Sequence, residues 1–191
     1  MINIKYLITF CLLILNIKCS SQNIDKAKMN KESITSKYDG LNGDDLVHTA
    51  FQSIAEEIWI DKKIDYDYFS KLPTPKKVIY KTYLLEMEVN NGGFNQFYHN
   101  RGIEFAEDIP NYFEMIGAVK YAKIVLRANQ MYRNENDSIT KKQNGTFEGF
   151  RKSYENNPLN ELDNEFSQKL TGENILKLQA KYITENIEVF K

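Results

Sequence analysis

The chain has 191 residues, 42% hydrophobic and 13% aromatic, with 25 basic and 26 acidic residues and a net charge of −1. That length suits a leader and one domain, and that apolar content supports a buried core rather than a disordered chain. With no run of five or more Lys/Arg, the near-neutral charge excludes a nucleic-acid binder that works through a basic patch.

Residues 1–18 read as a lipoprotein-like signal peptide. Lys5 supplies the charged start, and an apolar core runs from Leu7 to Ile17, shorter than the roughly 20 residues of a membrane-spanning helix. Cys19, followed by Ser-Ser-Gln, resembles the lipidated cysteine of a bacterial lipoprotein, although Lys18 and Asn16 depart from the usual small and aliphatic residues. The other cysteine, Cys11, lies within the leader, so the domain beyond can form neither an internal disulfide nor a thiolate metal site. No metal and no cofactor is expected. Removal of the leader takes Lys5 and Lys18 from the 25 basic residues, leaving 23 against 26 acidic ones, a net of −3. The expected location is the cell envelope, lipid-anchored or periplasmic, with membrane contact through the N-terminal lipid only.

Residues 19–43 are rich in Lys, Ser and Asn and read as a flexible tether, with a reach of roughly 80 Å when extended. Residues 44–191 then read as one compact all-α domain of about six or seven helices. Val47, Ala50, Phe51, Ile54 and Ile58 share one helical face, with Asp44 and Asp45 near its start and Trp59 at its end as a core residue. "YDYF" (66–69) is the one candidate for a short extended piece. Thr74-Pro75 reads as an N-cap and first helical residue, opening a helix through Val78, Ile79, Tyr83, Leu84 and Met87 that ends at Asn91-Gly92. Pro110 starts another helix, and Val119, Ala122, Val125, Leu126 and Met131 mark a further one. Residues 134–145 read as a polar loop and Leu159–Leu170 as a helix. Leu176, Ala180, Ile183, Ile187 and Phe190 predict an unbroken amphipathic helix at the C-terminus.

The stretch "VNNGGFNQFYHN" (89–100) concentrates the polar chemistry. Phe94, Phe97 and Tyr98 share a helical face, with Asn95, Gln96, His99 and Asn100 pointing elsewhere. One reading is a Gly-Gly corner between two helices, with Asn90 or Gln96 satisfying freed backbone groups. The other is a polar pocket of Asn90, Asn91, Gln96 and His99. The binding or structural motif is therefore Asn90, Asn91, Gly92, Gly93, Gln96, His99 and Asn100. A Glu/His acid–base pair would join His99 to Glu86 or Glu88. With only His48 besides, two histidines make no conventional zinc site, and no Gly-rich phosphate loop, H-E-x-x-H or G-x-S-x-G occurs. No catalytic residue is assigned.

"EVNNGGFNQFYHNRG" (88–102), followed by "FEMIGAVKYAKIV" (113–125), resembles a bacterial family of unknown function, the C-terminal-like domain of DNA-mimic protein nineteen. The resemblance rests on Glu88, Asn91, Gly92, Gly93, Gln96, Phe97, Asn100, Gly102, Ile116, Gly117 and Ala118, and extends over roughly residues 45–190. It implies an all-α fold and no established catalytic residues. The family's namesake arranges surface carboxylates like a DNA duplex and, as a dimer, occupies a DNA-binding protein. Mimicry of phosphates needs a strong, regular negative surface, and here Lys62, Lys63 and Arg101 lie among or beside the acidic clusters Asp61/Asp65/Asp67 and Glu104/Glu107/Asp108. The first expectation is therefore an envelope-tethered, non-catalytic domain that binds an unknown protein partner and no nucleic acid, with a homodimer as a candidate form. The alternative is an acidic DNA-mimic inhibitor of a DNA-binding protein. The second alternative is a hydrolase-type enzyme using Glu86 or Glu88 with His99.

Overall fold

A computed structural model describes residues 37–60, 63–166 and 171–191. The leader, Cys19, most of the tether, Asp61, Lys62 and the end of the 159–170 segment lie outside the described residues.

Among the described residues the domain is all-α apart from one antiparallel pair of two-residue strands. In chain order it contains α1 (Gly43–Ile58), β1 (Trp59–Ile60), β2 (Lys63–Ile64), α2 (Tyr66–Lys71) and the long α3 (Thr74–Arg101). There follow α4 (Ile103–Ala106), α5 (Ile109–Met115), α6 (Val119–Thr140), α7 (Phe147–Lys152), α8 (Asn160–Glu165), α9 (Ile175–Glu185) and α10 (Ile187–Phe190). The strands pair antiparallel, with Trp59 opposite Ile64. Helical segments exceed the expected six or seven because several connections fold into one or two turns of helix. No helix among the described residues is long and apolar enough to cross a membrane.

α3 is the hub. It packs against α1, α9 and α10, and also against α4, α5 and α8, while α5 packs along α6. The expected face of α1 is buried at Val47, Ala50, Ile54 and Ile58. Phe51 is half-buried and stacks on Tyr80 at 5.2 Å between ring centroids. Phe94, Phe97, Phe113, Tyr121 and Phe166 form an aromatic core on the other side, with Phe166 edge-on to Tyr121 at 4.8 Å. Tyr38, placed in the tether by composition, is buried and meets Phe190 edge-on.

Several expectations are corrected. "YDYF" is helical, because the Asp65 side chain accepts from Tyr68 N and caps α2; the extended residues lie just before it. Trp59 begins β1 and is only partly buried, its Nε1 donating to Tyr80 Oη at 3.2 Å. Thr74 is the first helical residue rather than a cap and makes no capping bond. Residues 134–140 continue α6 through a distortion at Glu135, with Ile139 buried, whereas Leu126 is exposed. The C-terminal helix breaks at Asn186 (φ −119°, ψ 22°), whose side chain donates to Tyr182 O.

Candidate functional site

The Asn-Gly-Gly stretch divides α3. Gly92 (φ −154°, ψ 26°) and Gly93 (φ 70°, ψ 179°) leave helical geometry while the chain runs on to Arg101. The left-handed φ thus falls at Gly93, not at Asn91 or Gly92, where the helix end was expected. A side chain at Gly93 would overlap the Asp163 carboxylate, and one at Gly92 would overlap Gln96. Glycine is needed at 93 both for its φ and for this close approach.

Breaking a helix frees backbone donors and acceptors. The freed Phe94 N–H donates to Asp163 Oδ1 at 2.7 Å, and the Gly92 carbonyl accepts from Tyr154 Oη at 2.8 Å. Burial pushes the Asp163 carboxyl up to about 6, although the Phe94 N–H opposes that shift. Burial likewise pushes the Tyr154 hydroxyl up to about 12.

Glu88 ties the two halves of α3 together. Its Oε2 accepts from Gln96 Nε2 at 2.9 Å and Asn100 Nδ2 at 2.7 Å. Its Oε1 accepts from Arg101 Nε at 3.2 Å and Nη2 at 3.1 Å. Asn91 Nδ2 donates to Gln96 Oε1 at 2.9 Å, which completes the cluster. Glu88 is 4% exposed, so this is a buried charge with its lone pairs occupied, the condition under which such a charge is tolerated.

The remaining motif residues diverge. Asn90 is exposed. His99 Nδ1 meets Gln143 Oε1 at 3.1 Å, and its ring lies 4.7 Å from that of Phe150. Neither Glu86 nor Glu88, the partners of the alternative acid–base reading, is its hydrogen-bond partner among the described residues. The alternative reading, a pocket of Asn90, Asn91, Gln96 and His99, is not assembled either: Asn91 and Gln96 meet, while His99 belongs to a separate chain of contacts. That chain runs through Gln143 to Asn95, which is fully buried rather than outward-facing and donates to Ser153 Oγ at 2.8 Å. Sequence reasoning turned Asn95 outward, saw Arg101 only beside the acidic clusters, and passed over Tyr154 and Asp163. A basic residue thirteen positions after Glu88 was a visible signal only for Arg101.

Arg101 also lines a cleft of about 240 Å³ with Tyr66, Phe69, Lys81, Glu104 and Phe105. Lys81 Nζ lies 4.4 Å from the Phe105 ring centroid and donates to Phe105 O at 2.9 Å and Asp108 Oδ1 at 2.6 Å. Burial lowers the Lys81 ammonium from its usual range, and Asp108 opposes that shift. Two immobilised cations and three rings thus form a cleft wall suited to contact. Ile60, Tyr66 and Tyr68 are 56%, 55% and 45% exposed, and Tyr66 is also part of the cleft lining. Four further carboxylates pair with cations: Glu107 with Arg133, Glu165 with Arg127, Glu57 with Lys76 and Glu155 with Lys142.

No curated protein and no solved structure matches this chain. A family model described as DMP19-like protein matches residues 70–186, from the end of α2 through α9 and including both halves of α3. With more than half of its length matched, the chain belongs to the DMP19-like protein family.

Proposed function

We propose that this chain is a non-catalytic protein-binding domain tethered at the cell envelope, meeting its partner through Ile60, Tyr66, Tyr68 and the adjoining cleft. The observation that carries this reading is the contrast in exposure. The Asn-Gly-Gly motif spends its polar groups on its own backbone and on Glu88, whereas the hairpin–α2 stretch presents large apolar side chains to solvent. Tyrosines presented on a fixed frame are effective interface anchors. The motif serves this surface indirectly, because Glu88 fixes Arg101 in the cleft wall. The leader and Cys19 support the tether.

DNA mimicry is the alternative, favoured by the family. It is disfavoured here because Glu107 and Asp108 of the expected acidic cluster pair with Arg133 and Lys81. A salt titration of binding to a purified envelope partner separates the two. Apolar docking predicts affinity that changes less than about threefold between about 50 and 200 mM salt, while phosphate mimicry predicts a loss on the order of 10³-fold. Replacing Tyr66 and Tyr68 together by alanine should weaken docking by about 2 kcal/mol or more; unchanged affinity would remove this surface from the reading. Intact-mass measurement of the mature protein tests the tether, with a diacylated or triacylated Cys19 expected and an unprocessed Met1 overturning it.

A further inference from the structure

Among the described residues, two buried side-chain oxygens lack a hydrogen-bond partner: Glu86 Oε2 on α3 and Gln179 Oε1 on α9. Gln179 is fully buried and its Nε2 donates to Thr82 Oγ1 at 3.2 Å. The Thr82 hydroxyl spends its own proton on Val78 O at 2.8 Å. With its proton on Val78 O, Thr82 accepts from Gln179 Nε2, and Gln179 Oε1 is left in need of a donor. Thr82 and Glu86 stand one turn apart on the same face of α3, so the face that receives Gln179 also carries the Glu86 carboxyl. An ionised Glu86 would bring only acceptors to that face. A carboxylic acid supplies one O–H donor.

We infer that Glu86 is held as the neutral acid and donates to Gln179 Oε1, forming a proton-dependent latch between α3 and α9 that releases as pH rises. On deprotonation the proton passes to solvent and unmatched oxygens face each other across the helix interface. The surrounding charges agree. Asp44 at the start of α1 is a like charge that opposes ionisation, and with burial, the larger cause, it pushes the Glu86 carboxyl up to about 7. Tyr83 on α3 and Tyr121 on α6 are the neighbouring hydroxyls, each raised chiefly by burial and further by Glu86. Tyr83 Oη meets His48 Nδ1 of α1 at 3.3 Å. On α9, Lys177 and Lys181 are exposed, and Lys181 pairs with Glu185. α9 brings Ile175 and Ile183 into the core beside Gln179, so release of the latch loosens a structural wall of the domain.

The sign follows from linkage. The group goes from an ordinary value of 4.5 to about 7 on folding, so its stabilising contribution is complete below about 4.5 and is lost as pH rises through 7. Carboxyl-carbon NMR titration of the wild-type chain should place the Glu86 midpoint near 7; a midpoint below about 5 would overturn the latch. Hydrogen exchange, corrected for intrinsic rates, should show α9 amides losing ~10-fold or more protection between about pH 6 and 8. Glu86→Gln retains a donor and cannot ionise, so its α9 protection should stay flat. The same loss in Glu86→Gln as in wild type would also overturn the latch. Should that variant not fold, the wild-type midpoint decides alone.

Discussion

Glu86 and Glu88 lie two residues apart on α3, about 200° around the helix, and they face different interiors. Glu88 is the more buried of the two, yet Gln96, Asn100 and Arg101 direct four N–H contacts at its oxygens. Glu86 is only partly buried, but its inward oxygen has no donor among the described residues and a like charge, Asp44, nearby. Depth of burial therefore does not decide how a carboxylate is accommodated; the supply of donors does. One carboxylate works as a fixed brace across a broken helix. The other has the environment of a proton-sensitive joint.

The comparison breaks most sharply at Glu88. Glu88→Ala leaves the Arg101 guanidinium, with 10% of its side chain exposed, without its counter-charge, and strips Gln96 and Asn100 of their acceptor. Removing one partner of a buried pair costs about 3–5 kcal/mol, and urea unfolding should show a loss in that range. A loss under about 1 kcal/mol would mean that the brace is ornamental. Gly93→Ala should cost about 3 kcal/mol, combining the unfavourable φ with displacement of Asp163 from the Phe94 N–H. An alanine variant as stable as wild type would show that the corner tolerates a different backbone path.

The corner itself was legible in the sequence, because Asn-Gly-Gly carries its backbone chemistry locally. The apolar faces of α1 and of the first half of α3 were legible for a similar reason: a 3.6-residue period needs no knowledge of the partner. What fills the corner was not legible. Asp163 and Tyr154 reach Phe94 and Gly92 from about 60 to 70 positions away, and no local pattern announces such a contact. Asn95 misled because an amide reads as surface unless its partners Ser153 and Gln143 are known. The α2 helix was missed at "YDYF", where Tyr and Phe suggested a strand and the Asp65 cap overrode them. The polar end of α6 was missed because Ile139 alone anchors it.

Asp163 extends the comparison to pH. Its carboxyl rises from 3.8 to about 6 on folding, with burial outweighing the Phe94 N–H. A raised folded value means that its contribution is greatest below about 4 and is lost as pH rises through 6. Thermal unfolding across pH should thus decline in two overlapping steps, the lower from Asp163 and the upper from Glu86. Asp163→Asn retains an acceptor for Phe94 N–H and should remove only the lower step. An unchanged profile in this variant would assign the lower step to another group.

The smallest effects belong to the exposed edge of the motif. Asn91 contributes one bond to Gln96 from an exposed position, so Asn91→Ala should cost about 0.5–1 kcal/mol. His99→Ala should stay within about 0.5 kcal/mol, since its bond to Gln143 and its packing on Phe150 lie at the surface. Both variants should leave the proposed partner binding unchanged, because neither residue lines the cleft. If either one lost a specific activity while keeping wild-type stability and partner affinity, the Asn-Gly-Gly region would have a chemical role of its own. The brace at Glu88 would then be serving to position reactive groups rather than to hold a helix together.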